Sequence, residues 1–189
     1  AAAMLLLTGC LFRPPDDLYK LPEKSPGYEQ LNSAIRTVRS DLEMKYGTSC
    51  ELAVIVGGEN TASIQLQDLD GDGRQDAAVL YTTAQSSNVC IAILQKDDAD
   101  IWHVRQNVEG LADTVESVGL AQLQPGDATQ LVVGYTAAQG DHYLAVYSYT
   151  DGVLSTILEQ QYQQYLVEDI TGGGNQDLIL MSTLEDGGV

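Results

Sequence analysis

The stretch Asp68-Leu69-Asp70-Gly71-Asp72-Gly73-Arg74-Gln75-Asp76 places carboxylates at positions 1, 3, 5 and 9 of one short loop. Left unscreened, such groups repel one another, and a divalent cation reverses the sign of that interaction. A loop that curls round a small hard cation supplies oxygen on alternate residues, turns at glycine, and adds a main-chain carbonyl two residues after the third acid. Asp68, Asp70, Asp72 and Asp76 are the candidate side-chain ligands, Gly73 makes the turn, and the carbonyl of Arg74 is the candidate backbone ligand. Flexible, oxygen-only coordination suits Ca2+ better than magnesium, which tends to keep its water. Asp-Gly also forms plain hairpin turns, but four acids at ligand spacing exceed what a turn needs. An EF-hand would require an acid at position 12 of this loop, and that residue is Val79, in a strand-like segment.

Little else in the chain has a catalytic pattern. The two histidines, His103 and His142, stand outside any metal-ligand or nucleophile motif and read as strand or loop residues. No Gly-x-Ser-x-Gly elbow is present, and the glycine run 172–174 precedes a strand pattern instead of opening a helix, which argues against a phosphate site. Ten tyrosines stand against one Phe and one Trp. Tyr143, Tyr147 and Tyr149 alternate onto one face of a strand, and Tyr162 and Tyr165 follow. Such a face can stack on sugars or peptides, but packing between sheets with the hydroxyl reaching water is the expected role.

The elements that would position the loop follow from hydrophobic period. Leu31, Ala34, Ile35, Val38 and Leu42 fall at helical spacing, which predicts one amphipathic helix over 27–47 with its apolar stripe in the core. Segments 51–58, 63–69, 76–83, 89–96 and 101–108 are rich in Val, Ile, Leu, Tyr and Thr between turn residues and read as strands. The repeat pattern is more informative. Residues 65–80 align with 166–181, matching Asp68 to Asp169, Gly73 to Gly174 and Asp76 to Asp177. A weaker copy matches Gln122 to Asp68 and Gln130 to Asp76. Three origins about 50 residues apart indicate a long-period all-β repeat, of which propellers with four-stranded blades are the general case.

The loop Asp-x-Asp-x-Asp-Gly-x-x-Asp followed by a strand resembles the calcium loop of FG-GAP and VCBS-type repeats, the blades of integrin-like β-propellers. The resemblance covers roughly residues 60–185. It implies an all-β fold, a partial propeller of about three four-stranded blades over 48–189 preceded by one helix, and a structural ion that rigidifies a blade hairpin. The full ligand set occurs once. The copy at 169–177 keeps only Asp169 and Asp177 and the copy at 122–130 has no acid at the ligand positions, so only the first loop is expected to bind metal well. Closed propellers use four or more blades, so the blades expected here form an incomplete ring.

Residues 1–10 are a short apolar run ending in Leu7-Thr8-Gly9-Cys10, too short to span a bilayer. This end resembles the lipobox of bacterial lipoproteins, which implies a signal remnant over 1–10, lipid on Cys10 and an extracytoplasmic domain anchored to the bacterial membrane at the cell surface. No basic region precedes the run, so the leader is expected to be incomplete. Residues 11–26 hold four of the five prolines and read as an extended tether. Cys50 and Cys90 are then exposed to oxidising conditions, and either a disulfide or two buried thiols fits. A formal charge of −18 repels phosphate backbones and excludes nucleic acid as the natural partner. The function expected is a non-enzymatic surface module for a protein or glycan. The alternatives are the N-terminal part of a propeller enzyme acting on polysaccharide or lipid, and a passive envelope scaffold.

Overall fold

The computed structural model describes residues 26–47, 49–58, 60–126 and 128–182. The expected leader, Cys10 and the tether up to residue 25 lie outside the described residues. The remainder is mostly β, with one helix among the described residues and three antiparallel sheets.

Helix α1 (Pro26–Tyr46) begins at a proline, whose missing N–H costs nothing in the first turn. It ends where Gly47, at φ +67°, donates its N–H to the Glu43 carbonyl at 2.8 Å, a left-handed cap that glycine adopts without strain. Ile35 and Leu42 pack on the first sheet as the periodicity expects. The side chains of Leu31, Ala34 and Val38 lie outside the described residues.

The first sheet contains β1 (Cys50–Leu52), β2 (Ile64–Gln67), β3 (Asp76–Thr83), β4 (Cys90–Lys96) and β5 (Trp102–Glu109). Strands β1 and β2 share one edge of β3, pairing with Tyr81–Thr83 and Asp76–Val79 respectively, so five strands fill four places. The second sheet is the meander β6 (Thr114–Ala121), β7 (Gln130–Thr136), β8 (His142–Thr150) and β9 (Val153–Gln161). A hairpin, β10 (Gln164–Glu168) and β11 (Asp177–Met181), forms the third. The segment 51–58, read from sequence as one strand, divides. Ala53 still donates its N–H to the Leu80 carbonyl of β3 at 3.0 Å, after which the segment leaves the first sheet and Ile55 forms a parallel bridge to Val115 at the start of the second.

The layers follow from which face of each strand is apolar. Ala78, Leu80, Ile91 and Ile93 of the first sheet meet Leu131, Val133, Tyr147 and Tyr149 of the second in one buried cluster. The opposite face of the first sheet, with Val79, Tyr81 and Leu94, is covered by α1. The opposite face of the second, with Val132, Leu144 and Val146, is covered by the hairpin through Val167, Leu178 and Leu180. Central strands are therefore buried on both faces, which explains why β3, β4, β7 and β8 are runs of apolar residues instead of alternating ones.

Cys50 and Cys90 are buried free thiols. They flank β3, Cys50 opposite Thr83 and Cys90 opposite Tyr81. Two strand spacings, about 9–10 Å, separate them, beyond the roughly 7 Å that a disulfide can bridge. Of the two states the sequence leaves open, the structure has the thiols.

Candidate metal centre

The acidic loop joins β2 to β3. Two left-handed glycines, Gly71 at φ +79° and Gly73 at φ +82°, curl it back on itself. Its first acid organises the turn: Asp68 accepts from the Gly71 N–H at 2.7 Å and from the Gly73 N–H at 2.8 Å, one on each oxygen. Asp76, the first residue of β3, is 2% exposed and accepts from the Leu69 N–H at 2.9 Å. Between them, Asp70 accepts from the Gln95 amide at 2.9 Å, and the same amide nitrogen reaches Asp76 at 3.1 Å.

Oxygens of Asp68, Asp70 and Asp76 lie within 4.8 Å of one another, and the group could hold a metal ion. Asp72 stays at the outer turn, where its carboxylate accepts from the Arg74 N–H at 2.7 Å. The Arg74 guanidinium turns away from the acids and donates to the carbonyls of Lys96 and Asp97 at 3.0 and 3.3 Å. The structure thus brings three of the four expected side-chain ligands together. Among the described residues no ion pair neutralises them.

That lack of compensation appears in Asp76. Burial, with the charges of Asp70 and Asp72 added, pushes its carboxyl up to about 6, against the opposing hydrogen bonds from Leu69 and Gln95. A buried carboxylate facing two further acids fits a hard cation with oxygen ligands.

Gln95 escaped the sequence reading. Its β4 position continues the β3–β4 register to lie opposite Asp76, so only strand pairing reveals it. Its carbonyl accepts from the Tyr149 hydroxyl at 3.3 Å, tying the loop to the second sheet.

The same hydrogen bond recurs twice. Leu123 donates its N–H to Gln130 at 2.8 Å in the loop between β6 and β7, and Ile170 to Asp177 at 3.0 Å between β10 and β11, each spanning seven residues as Leu69 to Asp76 does. In the third loop Asp169 also accepts from the N–H groups of Gly173 and Gly174, at 3.1 and 2.9 Å, as Asp68 does in the first. Among the described residues no second group of three acids converges.

The remaining candidates for chemistry are dispersed. His103 bonds Asp97 at 2.9 Å in an exposed turn, and His142 bonds Glu116 at 2.7 Å. Tyr147 and Tyr149 lie in the core between the sheets with Tyr143 packed against it, and the Tyr147 hydroxyl bonds that of Tyr135 at 3.0 Å.

No protein-family model matches the chain, and no curated protein matches it.

Proposed function

We propose that this chain is a calcium-stabilised binding module of the β-propeller type, built from FG-GAP or VCBS-like repeats and displayed on the outer surface by a lipid anchor at Cys10. The observation that carries the reading is the convergence of Asp68, Asp70 and Asp76 in a loop whose closing hydrogen bond recurs in two further loops. The meander β2–β5, with β1 sharing its edge, stacked face to face on the meander β6–β9, with a hairpin against the second, is the arrangement that consecutive blades would adopt.

Asp68, Asp70 and Asp76 would hold the ion, with Asp72 and the Arg74 carbonyl completing the set if the outer turn closes. The metal would supply positive charge to a cluster that otherwise repels itself and would lock the β2–β3 hairpin. Its role is structural, and the module acts by binding a protein or glycan.

Thermal melts in excess calcium and in EDTA test this. At about a hundredfold excess over the dissociation constant, calcium should add roughly 2.7 kcal/mol of stability. Asp70→Asn should remove most of that gain, and magnesium should reproduce little of it. Superimposable melts with and without calcium would refute the metal assignment.

A further inference from the structure

A second polar cluster, which no sequence motif marks, lies at the opposite end of β8 from Tyr149 and borders a cavity. Strand β6 carries a β-bulge: Val115 pairs with Tyr135 and Ser117 with Gly134, which leaves Glu116 as the extra residue. A bulge re-aims a side chain. The Glu116 carboxylate reaches across β7 to His142 on β8, where one oxygen meets Nδ1 at 2.7 Å and the Tyr162 hydroxyl at 2.9 Å. Thr136, the cross-strand partner of His142, adds its hydroxyl at 3.3 Å from the same Nδ1.

Space for this network is made by a missing side chain. A Cβ at Gly134 would strike the Ser117 hydroxyl and come within 2.7 Å of the Tyr162 hydroxyl. Tyr165 closes the other flank, its hydroxyl 2.8 Å from that of Ser117 and its ring edge-on to Tyr162 at 5.4 Å.

The consequence is a fixed imidazole. With a carboxylate at Nδ1, the neutral ring carries its proton there and presents Nε2 as an acceptor. Among the described residues Nε2 has no partner. His142 lines a cavity of about 300 Å³ together with Asp141, Gln160, Gln161, Gln163 and Ser182.

We infer that this cavity is a binding site for a neutral, hydroxyl-rich ligand, a saccharide unit, with His142 Nε2 as one of its hydrogen-bond anchors. The lining has three amides, the hydroxyls of Ser182 and Tyr162, an imidazole and one carboxylate, groups that donate and accept side by side as adjacent sugar hydroxyls require. It has no Lys or Arg, so an anionic ligand would find no counter-charge in a molecule that is already strongly acidic. Its volume is of small-ligand size; although β9, which carries Gln160 and Gln161, is the edge strand of its sheet, the lining offers no aliphatic side chain to seat those of an added peptide strand. The inference rests on the reading of the chain as a binding module and narrows its ligand to a glycan.

The two histidines make the test direct. Imidazole NMR resonances of His142 report the cavity, and those of His103, paired with Asp97, serve as an internal control. The probes are glucose, galactose, mannose, cellobiose, maltose and lactose, each titrated into the full chain in calcium and again in EDTA. At least one should shift His142 saturably and leave His103 in place. The double substitution Gln161→Ala with Gln163→Ala, which leaves the Glu116–His142 pair intact, should weaken that response at least about tenfold. No saccharide shifting His142, both histidines moving together, or a response only to a lysine-rich peptide would each overturn the proposal. Failure of the calcium reading would show instead as identical melts with the His142 response unchanged.

Discussion

Asp76 and Gln130 hold the same place in successive loops and close them with the same hydrogen bond, one through a carboxylate and the other through an amide. The charge on Asp76 is therefore unnecessary for closing the turn. Asp76→Asn should stabilise the metal-free protein at pH 7 by about 1–2 kcal/mol, because the amide escapes both burial of a charge and repulsion by Asp70 and Asp72. It should also abolish the response to calcium. The sign of the pH dependence follows from the same residue. Its folded pKa of about 6 lies above the ordinary 3.8, so the folded state binds more protons between those values. Stability through this group is highest below the ordinary value and falls as pH rises through about 6, by at most about 3 kcal/mol. Asp97 and Asp177 behave oppositely: backbone N–H groups, chiefly those of Ile101 and Thr171, hold them below the usual carboxylate range, and they lose their contribution only in stronger acid. Urea midpoints of wild type and Asp76→Asn in EDTA, between pH 5 and 7, should show the wild-type slope flatten in the variant.

At the scale of elements, Gly134 and Gly119 lie on neighbouring strands in different surroundings. A Cβ at Gly134 runs into Ser117 and Tyr162, whereas one at Gly119 meets nothing within 4 Å. Gly134→Ala should cost about 1–3 kcal/mol through overpacking and perturb the His142 resonances. Gly119→Ala should stay within about 0.5 kcal/mol of wild type by the same denaturant measurement. The contrast also shows what the sequence made legible. Apolar runs and turn residues locate the helix and the central strands, and the aligned residues 76, 130 and 177 each accept the N–H of the residue seven before. Period alone could not divide 51–58, because Ala53 and Ile55 stay apolar and buried while the chain changes sheets. Nor could it find Glu116, which is 26 residues from His142 and 46 from Tyr162 and reaches both only through a bulge and a strand register. Gln95 was hidden for the same reason: its role depends on the strand opposite.

The described residues form a stack in which α1, two sheets and a hairpin each cover the next apolar face. The helix is the outermost cover on one side, and Leu42, 1% exposed, is its buried anchor. Leu42→Ala should cost about 2–4 kcal/mol, while Met44→Ala, at a position 76% exposed, should be nearly neutral. Chemical denaturation of the two variants separates anchoring from helix propensity, since both substitutions install the same residue. Within this stack almost every ladder joins strands that are neighbours in sequence, the exceptions being β1 on β3 and the bridge from Ile55 to Val115. A chain wired this way has little loop-closure entropy to overcome before each sheet forms. It can therefore fold progressively from its N-terminal end while later segments are still being made, each completed sheet serving as the template on which the next one collapses.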